Sequence, residues 1–527
     1  MESYVLALDI GTSSVRAALY DFQGNVLPET FVKNERQLTA TDDGGAEIDA
    51  LEGLKQIEQA IDDVLERSAK LEGEISHVAA SSFWHSLVGV DAKAKPTTKV
   101  FGWADTRSRN YVQVLREKLN ESTTHNRTGA RFHSSFWTAK LLWLKKEFPE
   151  IFKQTDKWLS FSDFIALKLF VTPSSRRLSG GHLARRAVNK VESVSAGSRH
   201  DSRLEDGITA FTSVSMASAT GIFDIRVNDW DEELINFLKI KRANLPEIVA
   251  EDAQTFGLNS KYQKRWTQLK DTKWFPAIGD GAANNIGAGC VEKSKAALMI
   301  GTSGAMRVAF AGEIPKQIPN GLWCYRIDRK RIIIGGALSD GGGLYRWLKE
   351  NFRLKDDDNK TEAEIEKRDA DAHGLTFLPF LAGERGTGYH ENAHGAVLGL
   401  KSATDTIDIV QAALESVAYR FAEIFDQLHN ICKVREIIAS GGALRESPVW
   451  TQIISDVLQQ NMSLPDTREA SSRGAVLLAL ETIGKMESIE NLETPKGREF
   501  KFDKKRSAIY RKARKRHENL YELLINK

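Results

Sequence analysis

Two kinds of feature in this chain have the residue types and spacing that chemistry needs. One is a glycine-flanked acid, Ile278-Gly279-Asp280-Gly281; the other is a tetrapeptide present twice, Ile10-Gly11-Thr12-Ser13 and Ile300-Gly301-Thr302-Ser303. In each tetrapeptide the small residues let backbone N–H groups approach an anion, and the Thr and Ser hydroxyls add donors, which suits a phosphate. Asp9, immediately before the first tetrapeptide, is placed to hold Mg2+ through water. A carboxylate between glycines, as at Asp280, can approach a substrate without side-chain obstruction. Phosphoryl transfer requires these parts: donors around the phosphates, a divalent cation, and a carboxylate that orients and deprotonates the attacking hydroxyl. Plainer readings stand beside them, a simple hairpin for either turn and a helix cap for Asp280. No GxxxxGK[ST] occurs, so a Walker-type loop is excluded, and GxGxxG is missing from the first strand's turn.

The elements that must carry these residues are legible in outline. Val5 to Leu8 is an apolar run ending at Asp9, residues 11–14 form a turn, and Val15 to Tyr20 alternates as a second strand. His77 to Ser81 and Lys99 to Gly102 read as further short strands, Ala50 to Ala69 as a helix, and Thr138 to Phe152 and Trp158 to Phe170 as two more helices. The second half repeats the opening: Lys295 to Ile300 is a strand ending in the second tetrapeptide, and Met306 to Phe310 alternates after it. In a long chain a repeated tetrapeptide carries little weight alone; the repeated strand, turn and strand carry more. Thr406 to His429 bears Ile409, Ala413, Val417, Phe421, Ile424 and Leu428 at helical steps, an amphipathic helix suited to core packing. Val434 to Ala439 reads as a strand leading into Ser440-Gly441-Gly442-Ala443, with helices from about Pro448 and from Ser472 to Ile483.

At 527 residues the chain exceeds what one core usually serves, so two large domains are expected, with a crossover near Asn244 to Gln254. Seventy-three basic against 71 acidic residues leave a net charge of +2, which provides no global field for nucleic acid or an anionic membrane. Cys290, Cys324 and Cys432 form no metal or disulfide pattern. With no basic leader and no apolar run of about 18 residues, a cytoplasmic protein without membrane or nucleic-acid partners is expected. From Pro173 to about Ala210 the chain turns to Ser, Arg and Gly, with seven basic residues opposed between Ser174 and Arg203 by Glu192 and Asp201 alone. A solvated or disordered insertion is the preferred reading there, a basic contact patch the alternative. For the basic tail, Lys496 to Arg516, a surface helix is preferred over nucleic-acid contact.

Five segments in this order and spacing, DIGTSSVRAALYD, GDGAANNIGAG, IGTSGAMR, FLPFLAGERGTGYHENAHGAVLGL and ASGGALRESPVW, resemble the FGGY carbohydrate kinases of the actin-like superfamily. The resemblance spans nearly the whole chain. It implies an α/β fold of two actin-like, ribonuclease H-like domains that close on ATP, Mg2+ and a sugar in the cleft between them. The expected domains are 1–248 on the sugar side and 249–527 on the nucleotide side. By the same resemblance Asp280 is the catalytic base, lying with Asp9 beside the metal. Gly11, Thr12, Ser13, Ser14 and Arg16, with Gly301, Thr302 and Ser303, form the phosphate turns, and Gly441, Gly442, Ala443 and Ser447 the adenosine-side loop.

Phe83-Trp84-His85-Ser86-Leu87 and Trp103-Ala104-Asp105-Thr106-Arg107-Ser108 are similar to the HSL and WADxRS segments of the gluconate kinases in the family, where xylulose kinases show a QMHG-like segment. This implies substrate binding by Trp84, His85, Ser86, Trp103, Asp105, Arg107 and His133. His85, Arg107 and Ser86 are the expected partners of a substrate carboxylate, and Asp105 an acceptor for sugar hydroxyls. The sequence departs from the family pattern where Lys168-Leu169-Phe170 is separated from Ser215 by the basic stretch, read as an insertion. Phosphorylation of gluconate to 6-phosphogluconate is the leading expectation, with xylulose, ribulose, glycerol or another polyol as alternative acceptors. An actin-like ATPase and a sugar-binding regulator without turnover are the alternatives of a different class, and a homodimer is left open.

Overall fold

The computed structural model describes residues 2–36, 38–170, 210–253, 257–352, 354, 358–466 and 469–526. The basic stretch expected from about 173 to 210 lies, Ala210 apart, outside the described residues.

The opening apolar run becomes β1 (Ser3–Ile10), buried from Tyr4 onward on both faces, which is why it reads as continuous rather than alternating. It pairs antiparallel with β2 (Ser14–Tyr20), which pairs with β3 (Val32–Glu35), and its other edge runs parallel to β4 (Glu74–Ser82). Two short strands from much later in the chain, β5 (Lys273–Trp274) and β6 (Ile278–Gly279), extend this sheet on the far side of β4.

The second sheet contains β7 (Lys295–Ile300), β8 (Gly304–Ala311), β9 (Trp323–Arg326), β10 (Arg331–Leu338), β11 (Glu436–Ser440), β12 (Met462–Pro465) and β13 (Gly497–Phe500). Its spatial order is β9-β10-β8-β7-β11-β12-β13. In both sheets a strand ending in Ile-Gly-Thr-Ser heads an antiparallel meander on one edge and takes a parallel partner on the other. The expected α/β architecture of two like sheets is therefore present.

Helices cover the sheets. α1 (Ala50–Arg67) buries Leu54, Ile57, Ile61 and Val64 against the first sheet, and Asp49 caps it by accepting from the N–H groups of Leu51 and Glu52. The expected helix from Thr138 is α2 (Trp137–Glu147), ended where Pro149 starts a separate short helix. The expected helix from Trp158 begins instead as a strand, Lys157–Leu159, and turns helical only after Ser160 and Asp163 form a reciprocal cap. α3 (Asp280–Gly287) follows β6 directly, and α4 (Gly342–Asn351) follows the second meander. α5 (Thr406–Cys432) is the long amphipathic helix, three residues longer than expected. α6 (Gly442–Glu446), α7 (Pro448–Leu458), α8 (Ala470–Thr482) and α9 (Lys504–Leu524) complete the second half. On α9, Tyr510, Ala513 and Leu520 are buried, while Arg506, Arg514 and Arg516 pair with Asp456, Asp426 and Asp371.

The expected division at residue 248 falls before β5, β6 and α3, all of which belong with the first sheet. α8 also returns from the second half to pack on α3, β1 and β4. Two-residue strands reached after a long excursion have no local period to read, so only their pairing with β4 reveals where the first sheet ends.

Candidate active site

Asp280 is the first residue of α3, held at the carboxyl end of the first sheet by β6. Ile278 and Gly279 pair with Ser81 and Ser82 of β4, and Ser81 is level with Asp9 of β1. The two acids thus stand at the same end of the sheet, two strand spacings or about 10 Å apart. Gly279 occupies the cap position of α3 without a side-chain hydrogen bond, so Asp280 does not act as a helix cap. Its Oδ1 accepts a long bond from the Trp84 N–H at 3.4 Å. Burial pushes its carboxyl up from the ordinary value; the Arg307 guanidinium opposes that shift and the Asp9 carboxylate adds to it. The flanking glycines have a packing reason. A Cβ at Gly279 would lie 1.8 Å from the Trp84 ring, so any side chain there would displace the indole, whose Nε1 donates to Ser215 O at 3.1 Å.

Asp9 is buried, accepting from Arg16 Nη1 at 3.1 Å and Ser81 Oγ at 2.6 Å. Arg16 therefore holds Asp9 in place. Gly11 N–H closes the first turn on Ser14 O at 3.0 Å, leaving Thr12 half-buried and Ser13 exposed at the tip. The second turn is enclosed differently: Thr302 O accepts from the N–H groups of Gly341 and Gly343, and Gly301 O from Gly342 N–H at 2.8 Å. Gly441, at φ 98°, closes the third side, where a Cβ would lie 2.2 Å from Ile300 O. Sequence reasoning missed the Asp340-Gly341-Gly342-Gly343 run, although a glycine triplet opening a helix is a visible signal. Gly442 and Ala443 open α6 at this place. Ser447 caps α7, accepting from Trp450 N–H at 3.2 Å and bonding Glu362, so its hydroxyl is committed.

His85, expected to bind substrate, has φ 66°, a conformation that costs a bulky residue about 1–3 kcal/mol and concentrates at functional sites. Its Nδ1 lies 2.6 Å from Ala219 O, an acceptor, so Nδ1 carries the proton and Nε2 is an acceptor. Burial pushes the ring down to about 3, with Arg385 adding to the effect, so His85 is neutral. A neutral ring whose Nδ1 proton is given to Ala219 O offers no donor or charge to a carboxylate, against the role expected for His85. His133 is likewise held neutral by burial, its Nδ1 accepting from Ser135 N–H at 3.1 Å, which puts the proton on Nε2, 3.5 Å from Glu391.

Ser86 Oγ accepts from Phe161 N–H at 3.0 Å and serves the fold. Asp105 is 1% exposed and accepts from Ala46 N–H as well as from Arg107. Arg107 is paired with both Asp105 and Glu47 and lies over Phe101 and Trp143, so its charge is already neutralised. It is not free to receive a substrate carboxylate.

The second half supplies residues that sequence reasoning left unassigned. Tyr325 on β9 meets Trp84 edge-on at 5.3 Å and lies 5.8 Å from His85. Tyr389 lies 6.0 Å from His133, and Glu391 accepts from Ser134 N–H at 2.7 Å. Arg385 lies over the Trp103 ring at 5.0 Å. Arg307 on β8 is buried, with no acceptor for its Nε and Nη1 among the described residues, and its Nε is 3.1 Å from where a Cβ at Gly281 would sit. From the first half, Lys140 donates to Ser134 O and Ser135 O at 2.6 and 2.7 Å, and burial pushes it down to about 7. The motif around Arg385 was visible in the sequence; its approach to Trp103 and Asp280 was not.

Two like sheets, each with an Ile-Gly-Thr-Ser turn at a strand end, and a glycine-flanked carboxylate at the end of the first match the architecture expected of a two-domain carbohydrate kinase. The chain belongs to the FGGY family of carbohydrate kinases: the family's N-terminal domain matches residues 4–174 and 202–287, and its C-terminal domain residues 296–482. The gap in the first match falls inside the basic stretch. The chain is 28% identical over 505 residues to the gluconokinase of Bacillus subtilis (strain 168), covering 93% of this chain and 90% of that one. Its fold is similar to those of a ligand-bound xylulose kinase and a gluconate kinase, both from Lactobacillus acidophilus, with TM-scores of 0.85 and 0.84. Each is 24% identical, and each match covers 99% of this chain and 98% of the other. Among the described residues no helix is long and apolar enough to cross a membrane.

Proposed function

We propose that this carbohydrate kinase transfers the γ-phosphoryl group of ATP to the terminal hydroxyl of a sugar acid, with gluconate the leading acceptor. The observation that carries this reading is the position of Asp280, at the sheet end it shares with Asp9 and beside a sugar side lined by Arg385, Arg307 and Lys140. Asp280 takes the proton of the hydroxyl as its oxygen forms a bond to the γ-phosphorus and the bond to ADP breaks, so no phosphoenzyme is needed. A carboxyl pushed up by burial is a stronger base than an exposed one. Trp84 fixes the backbone on either side of Asp280, and the neutral His85 accepts a sugar hydroxyl at Nε2. The N–H groups and hydroxyls of the two turns bind the phosphates, the glycine ring around residue 301 leaving room for close backbone approach. The hard carboxylate oxygens of Asp9 and Asp280 suit Mg2+, which when bound offsets the charge of the transferring group. We place the division between the domains at 288–295, between the two family matches.

A neutral polyol such as xylulose is the second reading, favoured by the neutrality of His85 and His133 and by the committed charge of Arg107. A coupled ADP-release screen over gluconate, xylulose, ribulose and glycerol separates the two. Gluconate is expected to give the highest kcat/KM, and Asp280→Asn to lower kcat by about 100- to 10,000-fold. Full activity in Asp280→Asn, or no acceptor raising ADP release above background, would sink the proposal.

A further inference from the structure

We propose that Glu469 is a positioning residue for the cation site: from the cap position of α8 it shares the Arg16 guanidinium with Asp9, leaving the Asp9 carboxylate open to a divalent cation. This rests on the reading above in which Asp9 holds Mg2+, and adds the residue that prepares Asp9 for it.

Arg16 stands between two carboxylates. Its Nη1 donates to Asp9 Oδ2 at 3.1 Å, and its Nε lies 3.7 Å from Glu469 Oε2. That Nε and that Oε2 are both buried, and neither makes a hydrogen bond to a described residue. An arginine committed to one carboxylate closes on it with two parallel bonds of about 2.7–2.9 Å. Arg107 holds Asp105 in this way, through Nε and Nη2. Arg16 instead makes a single long bond to Asp9, and its charge is divided between the two acids.

Glu469 is not spent on its helix, for it occupies the cap position of α8 without a side-chain hydrogen bond. Arg16 acts on its carboxylate more strongly than Lys33 or Arg445 does, and Lys33 is paired with Glu35 at 2.6 Å. The start of α8 is fixed in place. A Cβ at Gly287 would lie 1.9 Å from Ala470 O and one at Gly474 1.8 Å from Ala283 O, and Arg473 Nη1 donates to Gly287 O at 2.6 Å. These contacts set the start of α8 beside the end of α3, a helix length of about 10 Å from Asp280. Glu469 therefore acts on Asp9 through Arg16 and stands clear of the base. Without its charge Arg16 would close on Asp9 alone, and a carboxylate neutralised by a guanidinium is a poorer ligand for a hard cation.

The test titrates Mn2+, which stands in for Mg2+ and is followed by its paramagnetic resonance signal, into the protein carrying one equivalent of ADP. Glu469→Gln is expected to weaken Mn2+ binding on the order of 10-fold and to raise the Mg2+ concentration for half-maximal activity in step, with the KM for the acceptor unchanged. Glu469→Asp, which keeps the charge, should recover part of the loss. The decisive comparison adds Glu469→Gln to Arg16→Gln: with the guanidinium gone, the second substitution should change Mn2+ affinity by less than about 2-fold. A full loss in that background would make Glu469 a direct ligand, and wild-type affinity in Glu469→Gln alone would leave it without a role; either result overturns the inference. If Arg16→Gln does not fold, Arg16→Lys, which presents no Nε to Glu469, takes its place in the comparison. Should Asp9→Asn bind Mn2+ as tightly as wild type, the reading of Asp9 itself fails. If Asp9→Asn weakens binding and Glu469→Gln does not, only the role of Glu469 fails.

Discussion

The two Ile-Gly-Thr-Ser turns are identical in sequence and end equivalent strands in two like sheets, yet they stand in opposite surroundings. Behind the first stands Asp9, level with Arg16 on the next strand and bonded to it; behind the second stands Met299, level with Ala305. The first turn is an open hairpin backed by charge. The second is walled by backbone from Gly341 to Gly343 and by Gly441. One tetrapeptide supplies the same donors twice, and on the proposed function its neighbours would divide the labour: a carboxylate for a cation on one side, close backbone packing for a nucleotide on the other. Asp280 belongs to the first sheet but is tuned by Arg307 from the second, so the two halves meet at the acid.

The comparison breaks most sharply at Asp9. Asp9→Asn should raise the Mg2+ concentration for half-maximal activity about 10- to 100-fold, with the KM for the acceptor little changed, in a titration at saturating ATP. If the Mg2+ dependence stayed at its wild-type value, the first turn would have no distinct metal role. Next come the glycines of the second turn. Gly441→Ala forces a Cβ onto Ile300 O at a left-handed φ, and should raise the KM for ATP about 10-fold. Gly301→Ala meets nothing nearer than Met299 Sδ at 3.9 Å, and should stay within about 2-fold. Equal effects would show that the walls of the second turn do not matter. The smallest effect concerns pH. Asp280 acts as a base only when ionised, and burial raises its pKa, so activity should fall on the acid side above the usual carboxylate range. Arg307 favours the ionised form, and Arg307→Gln should therefore move that acid limb to higher pH. A limb that stayed in place would remove Arg307 from the account of Asp280.

Much of this was legible because it is local. Asp9 closes an apolar run, Asp280 sits between glycines, and the strand-turn-strand pattern recurs, so both turns and both acids could be located before any contact was known. The basic tail, expected as a surface helix over Lys496 to Arg516, is helical only from Lys504, because Gly497–Phe500 pairs with β12 as β13. Charge states were less accessible. Arg107 and His85 looked like carboxylate partners by residue type. The first is neutralised by Asp105, two residues before it, and by Glu47, sixty residues away in sequence, and the second is discharged by burial. Neither the pairing with Glu47 nor the burial of His85 has a trace in the residues beside them.

By itself, the sequence determined the class of elements, the repeat of the two turns and the family to which the chain belongs, because glycine spacing and apolar runs act over a few residues. Only the tertiary structure decided which residues complete the first sheet, since β5 and β6 are too short to declare themselves and are defined by pairing with β4. It also decided which arginines are paired. Pairing depends on distances between segments far apart in the chain, and so Arg107 is spent within the first half, while Arg307, from the second, is buried beside Gly281 with no acceptor for its Nε and Nη1 among the described residues.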